Sequence, residues 1–212
     1  MKDLYVIGAG GFGKEIVHLI LQCELSYNLK AVVDYEGGKE LIVETDTIPV
    51  IPESELMKTD LSKCGVVIAV ASPEAMQRIS EKYKKIGVID FPNVIHPSAL
   101  IANSLKKGVG NIIAQNVVIS VDVEMGNFNV VNLSSTIGHD VKMNNYNVIN
   151  PGTNVSGGVE INELNLMGTN STILQYLKIG SNCTIGAGSL VAKDVNDGET
   201  IIGNPGRVMR RK

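Results

Sequence analysis

From Ile95 onward the chain carries an aliphatic residue at every sixth position. Ile95, Ile101, Ile113, Ile119, Met125, Val131, Ile137, Met143, Ile149, Val155, Ile161, Met167, Ile173, Ile179, Ile185 and Val191 keep this register without a slip, and Lys107 is its one break. The following residue is usually small or Asn, as at Gly126, Asn132, Gly138 and Gly168. The residue four places on is usually small or β-branched, as at Val123, Ser135, Val141, Thr153, Ser171 and Cys183. A helix repeats every 3.6 residues and a half-buried strand every 2, so a period of six is neither. Each hexad reads as one short strand and one corner, with the large aliphatic residue inward and the small one beside it.

Three such hexads close one triangular coil, and coils stack at the spacing of paired strands, roughly 4.8 Å. Ladders of like residues then form the core. The repeat therefore predicts an all-β prism, a parallel β-helix of hexapeptide repeats. The segment SLKKGVGN around Lys107, with Gly108 and Gly110, predicts a turn or a distorted coil near its start.

The first ninety residues follow another pattern. DLYVIG (3–8) reads as a buried strand, and GAGGFGKEIVHLILQ as a Gly-rich turn opening a helix with Ile16, Leu19 and Ile20 on one face. LKAVVDYE is a second strand ending at Asp34, and CGVVIAVA (64–71) is another. SPEAMQRISEKYKK (72–85) is a helix with Ser72 as its cap and Pro73 at its first position. Between them a short strand is expected near 48–51 and a short helix near 53–59. Strand–helix alternation predicts a small, Rossmann-like parallel α/β sheet. The expected division is 1–92 for this α/β domain and 93–212 for the prism with its tail.

Composition sharpens the picture. Aromatic residues are only 4% of the chain, Trp is absent and Gly numbers 22, which suits short aliphatic strands with tight corners. A net charge of -3 argues against nucleic-acid binding, which needs a basic excess. No apolar run is long enough to span a membrane. Three cysteines without a CxxC spacing point to a reduced compartment, and a cytoplasmic location is expected.

Gly8, Gly10 and Gly13 match GxGxxG in the strand–turn–helix setting of a phosphate-binding loop, with Asp34 at the end of the next strand. Glycines let the backbone approach a ligand, and the helix N-terminus offers free N–H groups to an anion. Asp34 can accept hydrogen bonds from a base or ribose, and Ser72 opens toward the same crevice besides capping its helix. About ninety residues are too few for a full dinucleotide fold and its catalytic partner, so NAD use is disfavoured against another nucleotide ligand.

The motifs VIGAGGFGKE, VVD at 32–34, STIGHD at 135–140 and the ending IGAGSLVAKDV…IIGNPGRV resemble those of bacterial sialic-acid O-acetyltransferases and nucleotide-linked amino-sugar N-acetyltransferases. The resemblance covers essentially the whole chain. It implies left-handed coiling, acetyl-CoA as donor, a homotrimer, and active sites between adjacent prisms. It implies N-acetylation of a nucleotide-linked amino sugar, with O-acetylation of sialic acid or another sugar as the alternative. A protein that binds nucleotide sugars without catalysis is the rival of another class.

Residue by residue, the resemblance assigns His139 as general base with Asp140 beside it, and Asn132 as an active-site partner. A neutral imidazole can take a proton from an incoming amine or hydroxyl, and a neighbouring acid can fix its tautomer. Gly157, Thr169 and Ala187 match positions along the donor. Gly10, Gly11, Phe12 and Gly13 match the loop that holds the nucleotide sugar, and Asp34 the acid that reads the base. Val148 and Phe12 stand where the family often has histidines. His18 and His96 read as packing or structural residues. No metal is expected, since zinc enzymes built on this prism need three converging histidines and the repeat contains only His96 and His139. The basic tail Arg207, Arg210, Arg211 and Lys212 could meet the donor's phosphates or simply be solvated.

Overall fold

The computed structural model describes residues 1–209. The chain opens with β1 (Lys2–Ile7), α1 (Gly11–Gln22) and β2 (Tyr27–Asp34). A hairpin of β3 (Leu41–Val43) and β4 (Asp46–Ile48) follows, then β5 (Val50–Pro52), α2 (Glu53–Leu56), β6 (Gly65–Ile68) and α3 (Pro73–Lys85). The sheet order is β5-β2-β1-β6, all parallel. β6 is buried along its whole length, as a parallel strand covered on both faces should be. Ser72 caps α3, its Oγ accepting the Ala75 N–H at 3.4 Å. The hairpin is absent from the sequence reading. Its strands have three residues each and carry charge between them, so no periodicity announces them.

From Val94 the chain winds as a prism of two-residue strands in three parallel sheets. The first face runs through Val94–Ile95, Ile112–Ile113, Val130–Val131, Val148–Ile149, Leu166–Met167 and Thr184–Ile185. The second begins at Leu100–Ile101 and ends at Leu190–Val191, and the third begins at Lys106–Lys107 and ends at Lys178–Ile179. The hexad residues Ile113, Val131, Ile149, Met167 and Ile185 stack directly over one another in the core. Lys107 corrects one expectation. Its coil is regular, and Lys106–Lys107 pairs in register with Glu124–Met125. The lysine is tolerated because its strand is the outermost of the third face and its side chain is exposed.

The corners explain the period. One residue in each hexad adopts positive φ, at every sixth position from Gly110 to Gly188. Asn, Asp and Gly hold many of these places, as left-handed backbone favours. Each corner also has its own ladder of inward residues. Val123, Val141 and Val159 fill one, and Ser135, Thr153, Ser171 and Ser189 another. The third holds Asn111, Asn129, Asn147 and Asn165, all fully buried. Each Asn Oδ1 accepts the backbone N–H of the residue 18 positions on, as Asn111 does for Asn129 at 2.9 Å and Asn129 for Asn147 at 2.9 Å. This amide ladder satisfies corner N–H groups that no strand reaches.

The outer surfaces of the three faces differ. The third carries Lys106, Glu124, Lys142, Glu160 and Lys178 in alternation, with Lys106–Glu124 at 3.0 Å and Lys178–Glu160 at 3.3 Å. The first carries Val94, Ile112, Val130 and Val148, which continue the core of the α/β part. Phe128 and Tyr146 project from the adjoining corner and stack at 5.5 Å. Phe91 meets Phe128 edge-on at 5.1 Å, and the Lys84 ammonium lies 4.6 Å from its ring centre. Tyr146 shares a buried hydrogen bond with Ser80 of α3 at 3.1 Å. His96 bridges the two parts as well, with Gln22 at 2.8 Å and Ser98 at 2.7 Å. Partial burial and then the nearby His18 lower its pKa, so it serves as a neutral hydrogen-bonding strut.

Asn147→Ala tests the amide ladder. It removes the acceptor of the Asn165 N–H and the bonds from Asn147 Nδ2 to Asn129 and Asn162. The variant should lose about 3 kcal/mol of stability in urea denaturation. A loss below about 1 kcal/mol would show that water replaces the ladder.

Candidate functional site

Two places gather the residues that sequence reading selected. The first is the crevice at the carboxyl ends of β1, β2 and β6, where parallel sheets accept ligands. Gly10 caps α1 without a side chain, so the first N–H groups of the helix point outward unpaired. A Cβ on Gly10 or Gly11 would meet nothing within 4 Å, whereas one on Gly13 would lie 2.0 Å from the Gly8 carbonyl oxygen. Gly13 therefore lets α1 pack on β1, and Gly10 and Gly11 leave the loop open. Asp34 anchors the loop, accepting the Ala9 N–H at 3.3 Å and the Tyr35 N–H at 2.7 Å.

A cavity of about 370 Å³ opens beside Asp34, between Tyr35, Val70 and the α3 residues Arg78, Ile79, Lys82 and Tyr83. Ser72 is not among its lining residues and is occupied as the α3 cap. The α3 side chains escaped the sequence reading, although Arg78–Lys82 and Ile79–Tyr83 are each one helical turn apart. Glu53 forms one floor of the cavity and accepts from Lys82 and, at 2.9 Å, from Tyr83. Burial alone would raise the Glu53 carboxyl, but these hydrogen bonds outweigh it and hold it below its ordinary value. Burial and then the Glu53 partner push the Tyr83 phenol far up, so it stays a donor.

The second place is the prism corner between the second and third faces. His139 and Asp140 stand there, half exposed, with His139 Nδ1 2.8 Å from Asp140 Oδ2. Successive strand residues would diverge, but Asp140 is the positive-φ residue of its corner (φ 57°), and that turn brings its carboxylate back to the imidazole. The ring lies over the next coil. A Cβ on Gly157 would be 2.4 Å from His139 Nε2, so Gly157 is the space the imidazole occupies. Among the described residues the Gly157 N–H has no acceptor, as the bonds of this corner come from Ser156 and Gly158.

Asn132, Thr169 and Ala187 are not at this corner. They lie where the first face turns into the second, across a whole face from His139. Asn132 Oδ1 accepts the Leu133 N–H at 2.8 Å. Asn132 also lines a cavity of about 180 Å³ with Phe12, Glu15 and His18 of α1. The structure thus joins Asn132 to Phe12, and His139 to Asp140 and Gly157, as two separate half-sites. Thr169 and Ala187 sit one above the other, the Gly188 N–H donating to the Thr169 carbonyl at 2.8 Å. Val148 is fully buried under the α/β part, far from any role beside a ligand. His18 faces Glu44 at 3.6 Å. Burial raises the pKa of all three cysteines, so none is poised as a nucleophile. Arg207 pairs in an antiparallel strand with Ile202, and Arg210, Arg211 and Lys212 lie outside the described residues.

Residues 3–90 match the family described as the PglD N-terminal domain. The UDP-N-acetylbacillosamine N-acetyltransferase of Bacillus subtilis (strain 168) is 33% identical over 118 residues. That match takes in 53% of this chain and 51% of the Bacillus protein, about half of each. Over nearly its full length the chain superposes on the acetyltransferase domain of PglB from Neisseria gonorrhoeae FA1090. The TM-score is 0.89 at 28% identity, covering 99% of this chain and 100% of that one. The Neisseria domain is also known in complex with acetyl coenzyme A. PerB from Caulobacter crescentus, solved with CoA and GDP-perosamine, shares the fold at a TM-score of 0.89 and 24% identity, covering 99% and 98% of the two chains. These likenesses fix the coil of the prism as left-handed.

Glu53→Gln tests the charge that closes the first cavity. A carboxyl held below its ordinary value of 4.5 adds stability that is complete above that pH and vanishes as pH falls through the lowered value. The variant should melt roughly 2–4 °C lower at neutral pH and match the native protein once the pH lies below the lowered value. An equal deficit at both pH values would remove the ionic part of the account.

Proposed function

We propose that the chain, which resembles the sugar acetyltransferases it matches, transfers the acetyl group of acetyl-CoA to the amine of a nucleotide-linked amino sugar. The observation that carries this reading is the His139–Asp140 pair at 2.8 Å, lying over Gly157 on an open corner. Residues 1–92 would hold the nucleotide and residues 93–212 would carry the transfer. The acceptor's base and ribose enter the cavity beside Asp34, and its diphosphate meets the open glycines Gly10 and Gly11 with Phe12 and Gly13. The helix end supplies N–H groups and Arg78 and Lys82 supply positive charge.

In the reaction the acceptor nitrogen attacks the thioester carbonyl carbon. A C–N bond forms, the C–S bond breaks, and His139 Nε2 takes the proton that the nitrogen loses. Asp140 holds Nδ1 as the donor side of the ring, which leaves Nε2 free to accept. The unpaired Gly157 N–H would donate to the developing oxyanion. The proton then leaves with the CoA thiol. With every cysteine raised by burial, direct transfer needs no acyl-enzyme.

The half-sites lie on opposite edges of one prism face, so a complete site takes its two walls from two chains. A homotrimer of parallel prisms supplies this, bringing the His139 corner of one protomer against Asn132, Thr169 and Ala187 of the next. The second face and its corners leave Leu100, Val118, Leu133 and Leu174 exposed for that contact. A cytoplasmic enzyme of glycan biosynthesis is the setting this reaction fits.

Turnover of acetyl-CoA with a panel of nucleotide-linked amino sugars and their hydroxyl counterparts, followed by thiol release, tests the reading. Amines should react and hydroxyls should not. His139→Ala should lower kcat by about 10²–10⁴-fold with the melting temperature unchanged. A variant retaining more than about a third of native kcat would place the base elsewhere. Asp34→Ala should raise the acceptor KM and spare acetyl-CoA; the reverse result would exchange the two pockets. Light scattering should give a trimer, and a fully active monomer would end the shared-site account.

A further inference from the structure

Positive φ is costly for a bulky side chain, and an outlier of that kind points to whatever holds it in place. Phe128, Tyr146 and Leu164 are such residues; the first two are buried in the core that the prism shares with the α/β part, and Leu164 packs against that core. Tyr176 has the same backbone (φ 62°) but no such cover. Its residue is 72% exposed, and its hydroxyl makes no hydrogen bond among the described residues. Yet the ring is not loose. A Cβ on Gly158 would lie 2.4 Å from Tyr176 Cδ1, so the ring packs against that glycine, as the His139 ring packs against Gly157. Two adjacent glycines are thus bracketed along the prism axis, by His139 from the coil before and Tyr176 from the coil after.

We infer that Tyr176 is a donor-binding residue: its ring extends the His139 wall of the acyl-donor site by one coil, facing the pantetheine arm just beyond the thioester. This rests on the reading of the His139 corner as the place of transfer. The bracketed pair sets the unpaired Gly157 N–H on a residue that the imidazole covers, next to the glycine that the tyrosine ring covers. A thioester directed at that N–H lies between the two rings. Its arm, running along the axis toward the coil that also carries Thr169, passes the exposed face of Tyr176. An aromatic ring there gives the arm an apolar contact at no rotamer cost, because Gly158 already fixes it. The strained backbone is what puts the ring in that place.

The test measures CoA binding by calorimetry and acetyl-CoA KM in turnover, on the full-length oligomer. Tyr176→Ala should raise both about three- to tenfold, the worth of one aromatic contact, and leave the acceptor KM within about twofold. Tyr176→Phe, which keeps the ring, should recover most of the lost affinity. Tyr176→Gly should weaken CoA equally while melting no lower than the native protein, since glycine relieves the positive φ. A residue serving only the fold would show the opposite, lower stability with unchanged affinity, and that result would overturn the assignment. So would an oligomer that falls apart in Tyr176→Ala, which would make the ring a subunit contact. A native protein that binds no CoA would remove the transfer reading itself, whereas native binding that Tyr176→Ala leaves unchanged would remove this inference alone.

Discussion

Much of the carboxyl-terminal part follows from one backbone constraint: each hexad must turn a corner, and from Gly110 to Gly188 each corner spends one residue at positive φ. That requirement sets the period of six. It also decides which residues can point in. The large aliphatic residue enters from the strand and the small one from the corner, so the core is a stack of ladders with no helix to cover it. The amide ladder is the corner's remaining need made visible. A buried N–H that no neighbouring strand can reach is met by an Asn side chain from the coil before, again and again along one edge. At its far end Cys183 takes the place of Asn, its N–H donating to Asn165 at 2.7 Å. Among the described residues Asn165 Nδ2 is left without a partner there, one loose thread at the ladder's close.

The same constraint binds the two halves of the chain. Phe128 and Tyr146 sit in a conformation that suits Asn or Gly. Their cost, of order 1–2 kcal/mol each, is offset by burial against Phe91, Lys84 and Ser80. The α/β part is therefore docked, with the crevice at the carboxyl ends of its strands at a fixed height on the prism. That is what a transfer reaction needs when one ligand is held by the sheet and the other by the coils.

The repeat was legible because it is written in single residues at a fixed spacing, and so were β1, α1, β2, β6 and α3, each long or strongly patterned. Lys107 misled because a sequence shows an inward position but not that its coil is the last in a sheet. The ladder of Asn111, Asn129, Asn147 and Asn165 was there to be read at three times the hexad period, but a scan by sixes blends it with the serines and valines of the other corners. The cavity walls from α3 were hidden, since a helix face is assigned to core or ligand only when the sheet beneath it is known. The arrangement of the candidate site residues was not legible in the sequence. His139 and Asn132 are seven residues apart in sequence, yet one triangular face separates them, because seven residues carry the chain past a corner and along a whole side.

The paired lysines at the start of the third face have a consequence for how this molecule behaves in a crowd. A stack of coils ends in an unpaired strand, and an unpaired strand is a template on which another molecule can continue the stack. Lys106 and Lys107 place charge on both sides of that last strand, one of them in the slot where every later coil has an aliphatic residue. A second prism arriving end-on would have to bury an ammonium in its own core. At the opposite end Arg207–Val208 runs antiparallel to Thr200–Ile202, so the backbone direction there no longer matches that of an incoming coil. The repeat, which by its own geometry could grow without limit, is finite because it carries a stopper at each end.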